Sequence, residues 1–193
     1  MQPVRLSAVE KQKERQKVLL DNKFILLDTN LLISLSKYKT RFTRSFLYPL
    51  TRKKCKFYII DGVYFEFLRN TRTFDEYKQL KQFADRYSKI YSNEEDIENA
   101  IRLSILYLNK NPSCKSQVSY IDLLLAAQLI RRENKNKVIL ATCNLNDFPV
   151  CIFDRIKLQV VDLEDKVLTI AYIAFNEAKY KKCRDDFLKT AKN

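Results

Sequence analysis

Short strands alternating with longer helices predict an α/β fold for this chain of 193 residues, with a central, mainly parallel sheet flanked by helices in three layers. Three stretches carry that expectation. Phe24 to Leu27 is a run of four apolar residues that ends on Asp28 and turns into a helical pattern. Lys56 to Ile60 (KFYII) is a second strand followed by a helix, and Val138 to Leu140 is a third that runs into Thr142.

The remaining elements follow in order. Leu6 to Leu20 reads as a polar, basic helix or arm, packed through Val9, Val18, Leu19 and Leu20 if packed at all. After Asp28, Asn30 can cap a short helix through Leu31, Leu32 and Leu35. Thr40 to Leu50 gives another helix, with Phe42, Phe46, Leu47 and Leu50 on its core side. Asp61 caps the helix that contains Glu66. Phe74 to Tyr87 has helical spacing at Tyr77, Leu80, Phe83, Ala84 and Tyr87. Ser92 with Glu95 forms a capping box before a helix whose core face is Ile97, Ala100, Ile101, Ile105 and Leu108, ended by Asn111 and Pro112. Ser119 with Asp122 repeats that box and opens Tyr120 to Ile130, apolar enough to be buried. Leu158 to Val161 is a fourth strand, and Val167, Ile170, Ala171, Ala174 and Ala178 mark a final amphipathic helix. Neither a repeat nor a linker interrupts this pattern. It divides into a basic arm or helix over residues 1–22, one domain over 23–163, and a C-terminal helix within 164–193 that packs on or extends that domain, with a basic tail from Lys179 to Lys192.

Composition narrows the chemistry. A formal net charge of +13, from 36 Lys and Arg against 23 Asp and Glu, favours a polyanionic partner such as nucleic acid. From Lys37 to Lys56 there is no acid, and Lys37, Lys39, Arg41 and Arg44 are interleaved with Tyr38, Phe42 and Thr43, a mixture suited to phosphates and unpaired bases. The same residues also describe an ordinary amphipathic helix with a solvated basic face, and both descriptions can hold. Without histidine, serine and cysteine triads and His-ligated zinc are excluded for a single chain. A single glycine, Gly62, leaves no P-loop or dinucleotide turn. Five scattered cysteines, never spaced CxxC, fit a reducing compartment. With no leader-like apolar core near Met1 and no apolar run of membrane-spanning length, the expected location is the cytoplasm, without a membrane partner.

Carboxylates remain. Asp28 closes the first strand, where open α/β sheets bind their ligands, although an acid there can also cap the next turn. Glu66, between Phe65 and Phe67, could equally be a solvated helix acid, and Asp122 has its own explanation as a capping-box partner. Asn144 and Asp147 follow the strand ending near Thr142, where Asx turns are common. As a set they are more specific, because several acids converging on Mg²⁺ or Mn²⁺ is what phosphodiester hydrolysis needs.

At these residues the chain resembles the PIN-domain ribonucleases, the family that includes VapC toxins. The matching motifs are LLDTNLLI around Asp28, the helix containing Glu66, SYIDLLLAAQ around Asp122 and ATCNLNDF around Thr142, Asn144, Asp147 and Phe148. They occur in the family's order and with similar spacing, over about Phe24 to Leu163. The resemblance implies a PIN-like three-layer fold and a metal-dependent endoribonuclease, a hydrolase acting on RNA. Asp28, Glu66 and Asp122 would bind Mg²⁺ or Mn²⁺, with Asn144 and Asp147 completing the catalytic set. Thr29, Asn30 and Thr142 would position water or the scissile phosphate, and Lys37, Lys39, Arg41 and Arg44 would bind RNA. It further implies a small antitoxin partner and a homodimer if the protein is a toxin. The fourth acidic position is Asn144, which brings no charge, so a catalytically inactive RNA- or protein-binding module is the alternative. A haloacid-dehalogenase-like phosphatase would need a second acid where Asn30 stands, and a receiver domain lacks its acidic pair and lysine.

Overall fold

In the computed structural model, which describes residues 20–110, 118–163 and 165–190, six strands form one sheet. They are β1 (Phe24–Leu27), β2 (Lys56–Ile60), β3 (Ser88–Ile90), β4 (Val138–Thr142), β5 (Phe153–Asp162) and β6 (Val167–Phe175), in the order β3-β2-β1-β4-β6-β5. β1 pairs in parallel with β2, Phe24 facing Lys56, and with β4, Leu27 facing Ala141. β3 extends the parallel set beside β2, and β6 alone runs against the others.

The helices flanking the sheet are α1 (Thr29–Lys37), α2 (Lys39–Phe42), α3 (Tyr48–Arg52), α4 (Asp61–Leu68), α5 (Phe74–Ala84), α6 (Glu94–Lys110), α7 (Tyr120–Ile130) and α8 (Glu177–Thr190). A π-helical turn, Thr43–Leu47, joins α2 to α3. The expected core side of this stretch is the observed one: Phe42, Phe46 and Leu50 are buried, and Phe46 stacks on Tyr172 of β6 with ring centroids 6.2 Å apart. Gly62 of α4 faces α7, and a Cβ there would stand 2.7 Å from Ile121 Cδ1, the movable tip of that side chain. None of the helices among the described residues is long and apolar enough to cross a membrane.

Five expectations are corrected. The predicted final helix through Val167, Ile170, Ala171 and Ala174 is strand β6, and the helix starts at Glu177. Ile170, Ala171, Tyr172 and Ile173 are all buried, as in a strand covered on both faces, and the helical spacing was a subset of that continuous run. Leu163 N–H donates to Lys166 O at 2.8 Å, closing the β5–β6 hairpin, and β5 is much longer than Leu158 to Val161.

The helix expected over Phe74 to Tyr87 stops at Ala84, which frees Ser88–Ile90 for the edge strand β3. The capping box before α6 is formed by Asn93 and Asp96 rather than Ser92 and Glu95: Asp96 N–H donates to Asn93 Oδ1 at 3.1 Å, and Asn93 N–H to Asp96 Oδ2 at 3.0 Å. Finally, α6 buries Ala100, Leu103 and Leu106, while Ile97, Ile101, Ile105 and Leu108 are exposed. The buried face is fixed by Asp96, whose carboxylate is locked to Arg131 beyond the end of α7. Of the expected N-terminal arm, residues 20–22 lie within the described residues, with Leu20 buried; Val9, Val18, Leu19, Asn111, Pro112 and Lys192 lie outside them.

Candidate active site

The chain leaves β1 for β2 and β3 on one side, then returns to place β4 on the other side of β1. The carboxyl ends of β1 and β4 therefore border a topological switch point, the usual ligand crevice of an open α/β sheet. Asp28 follows β1 directly, and its backbone N–H still donates to Ala141 O of β4 at 3.2 Å. It occupies the N-cap position of α1 without a capping hydrogen bond. Its Oδ2 accepts instead from Thr142 Oγ1, the last residue of β4, at 2.6 Å. That hydroxyl also accepts from the Asn144 N–H at 2.9 Å. Both Asp28 and Thr142 are buried.

Three further acids stand around this pair. Glu66, one turn into α4, accepts from Thr29 Oγ1 at 2.5 Å and lies 3.8 Å from the exposed Arg69 guanidinium. Asp122, in the first turn of α7, accepts from Ser119 Oγ at 2.6 Å, while its N–H donates to the same hydroxyl at 3.1 Å, so the expected cap is present. Asp147 accepts from Asn144 Nδ2 in the loop after β4. Asn144 thus restrains Asp147 where a fourth acid would have added charge. Asn30 is exposed in the first turn of α1, where its carbonyl accepts from Ser34 Oγ.

Protonation reflects the crowding. Burial raises Asp28 above the usual carboxylate range, and the nearby Glu66 charge adds to the rise, against the Thr142 hydroxyl and the amides at the start of α1. Asp122 is pushed up to about 7, first by burial and then by Asp28 and Asp147, with the Ser119 hydroxyl opposing. Asp122 thus responds to both Asp28 and Asp147, and Asp28 to Glu66. Even so, each acid has its own neutral donor, and no three Asp, Glu, Cys or His side chains among the described residues close into a metal-ligand set.

Asp122 makes stability depend on pH. Its folded-state value lies above the ordinary 3.8, so the stabilising contribution is full below about pH 4, falls between about pH 4 and 7, and is lost above that. In EDTA, Asp122→Asn therefore raises stability by about 2 kcal/mol at pH 8, about 5 °C in melting temperature, and changes little near pH 4. Thermal melts of both proteins across that range check it; equal offsets at every pH would reject it.

Tyr107 of α6 was not among the expected site residues. Its hydroxyl is buried with no hydrogen-bond partner among the described residues, and it senses Asp122 and Asp147. The expectation of a core face through Ile97 and Ile101 turned it the wrong way; its only sequence signal is an aromatic four residues after Leu103.

The basic segment begins at the last residue of α1, Lys37. It follows Asp28 in sequence, but α1 carries the chain about 12 Å from Thr29 to Lys37 along its axis. Lys37 sits over the Tyr38 ring, Lys39 over Phe83, and Arg41 Nη1 donates to Asp162 O at 3.0 Å, with Arg44 exposed. Asp162 is the last residue of β5, so Arg41 lies beside the β5–β6 hairpin. No family model matches this chain, and no curated protein and no solved structure does either.

Proposed function

We propose that this chain is a divalent-metal-dependent endoribonuclease of PIN-domain type. The observation that carries the reading is the placement of Asp28, Glu66, Asp122 and Asp147 around one switch-point crevice, where burial and mutual repulsion raise Asp28 and Asp122. Such a group of hard oxygen donors, with Arg69 as its one salt-bridge partner among the described residues, fits Mg²⁺ or Mn²⁺.

Asp28, Glu66 and Asp122 would hold the ion, with Asp147 and Asn144 completing the site. When bound, the cation would polarise a phosphoryl oxygen and lower the pKa of a water. Thr142 fixes the orientation of Asp28, Thr29 that of Glu66, and Ser119 that of Asp122. The carboxylates repel the scissile phosphate unless a cation intervenes, so hydrolysis depends on the metal. RNA is the substrate this reading assigns; a small antitoxin and a homodimeric partner belong to it if the protein is a toxin.

A second reading has its own support. Acids individually satisfied by neutral donors, with Asn144 at the fourth acidic position, also suit an inactive RNA- or protein-binding module. Incubating the wild-type protein with a mixed RNA pool in Mg²⁺, Mn²⁺ or EDTA separates the two. Cutting with either metal and none in EDTA is expected. RNA binding without cutting under every condition would favour the inactive module.

A further inference from the structure

At the other end of the sheet, a cleft of about 430 Å³ opens between the α1–α3 stretch and the start of β3. Lys56 and Ser88, the first residues of β2 and β3, line it. Asp61 follows the far end of β2, so the length of that strand, about 13 Å, separates the cleft from the end of the sheet where the acids lie. Lys39, Lys56 and Arg86 stand around it, and its lining contains no carboxylate. None of these three cations has a salt bridge among the described residues.

The apolar part of the lining includes Leu35, Leu47, Phe57, Phe83 and Tyr87. Phe83 is nearly buried and holds two of the cations over its ring, Lys39 Nζ at 5.7 Å and the Arg86 guanidinium at 5.9 Å. The Tyr87 hydroxyl has no hydrogen bond among the described residues, and burial raises its pKa to about 12, which keeps it a donor. One wall is the π-helical turn Thr43–Leu47, a distortion common at functional sites.

We propose that this cleft binds a nucleoside phosphate. Lys39, Lys56 and Arg86 would take the phosphate with the Tyr87 hydroxyl donating to it, and Phe57 with Leu47 would receive the base and sugar. Three cations in a lining that holds no carboxylate call for an anion. Inorganic phosphate alone would leave the aromatic part of the lining unused, and the volume falls within the range for small-molecule pockets. The nucleoside phosphate could be free or one unit of an RNA strand, and the assignment does not depend on the nuclease reading.

Calorimetric titration in EDTA tests it with 5′-AMP, inorganic phosphate and hexauridylate on four proteins. These are wild type, Lys56→Ala/Arg86→Ala, Asp28→Asn, and Lys182→Ala as an exposed-lysine control, each with its melting temperature measured. AMP is expected to bind about tenfold more tightly than phosphate, and the double variant to lose about tenfold in AMP affinity. Asp28→Asn and Lys182→Ala should leave AMP binding unchanged. Hexauridylate that displaces AMP and binds more tightly identifies an RNA strand as the source, and the reverse order a free nucleotide. Failure of both to bind, equal affinity for AMP and phosphate, or equal losses in the control would overturn the assignment. RNA cutting plays no part in the readout, so the failure of either proposal leaves the other standing.

Discussion

Asp28→Asn is expected to lower metal-dependent RNA cleavage by about 10³-fold while changing RNA affinity by less than about twofold. The substitution is nearly isosteric, and Asn can still accept the Thr142 hydroxyl through its carbonyl oxygen. What disappears is one negative charge from the centre of the proposed metal site. Stability should not fall: Asp28 is buried and held above its usual carboxylate range, so a neutral amide at pH 7 removes a desolvation cost. Unfolding therefore cannot imitate the result. Thr142→Val gives a graded companion, since it keeps the charge but frees the carboxylate to turn, and a loss of about tenfold is expected. Single-turnover cleavage of one labelled RNA, beside binding of the same RNA in EDTA, measures both. If Asp28→Asn cut as fast as wild type, Asp28 would not hold the metal and the proposed mechanism would fail.

The acids were easier to place from the sequence than the elements on either side of them. Phe24 to Leu27 reads as a strand, buried from Ile25 on, and Asp28 at its end needed a reason beyond solvation; Val138 to Leu140, running into Thr142, carried the same information for Thr142. The parallel pairing of these two strands brings Asp28 and Thr142 within hydrogen-bonding distance across 114 residues of chain. Local pattern failed where tertiary cover decides the outcome. Val167–Phe175 contains helical spacing, but its continuous apolar run goes to a strand between β4 and β5. In α6 the more conspicuous stripe, Ile97, Ile101, Ile105 and Leu108, lost the core to Ala100, Leu103 and Leu106 because Asp96 had to face Arg131. An ion pair between positions 35 residues apart has no signature in a single sequence.

That ion pair carries the second large effect, because Arg131→Met should destabilise the protein by about 3 to 5 kcal/mol. Asp96 is fully buried, with Arg131 Nε on its Oδ1 and Nη2 on its Oδ2, both at 2.5 Å. The bidentate geometry supplies much of the bonding the carboxylate needs, and Oδ2 also accepts the Asn93 N–H at 3.0 Å. Removing the guanidinium leaves a charge in the core with one capping amide, and a protein of this size should lose about 10 °C in melting temperature. Urea unfolding of Arg131→Met, Asp96→Leu and the double variant closes a double-mutant cycle. The double variant should regain most of the stability, since an apolar pair avoids the desolvation of two ions. If the single variant loses less than about 1 kcal/mol, the pair is not the constraint described here. Recovery of stability is then informative for the site. Asp96 begins α6, which carries Tyr107, and Arg131 follows α7, which carries Asp122 at its opposite end. If the salt bridge serves chiefly to set the register of these two helices, the double variant unfolds like wild type yet shifts Asp122 against Tyr107. The pH dependence of its melting, measured in EDTA, would then move away from that of the wild type even where the stabilities agree.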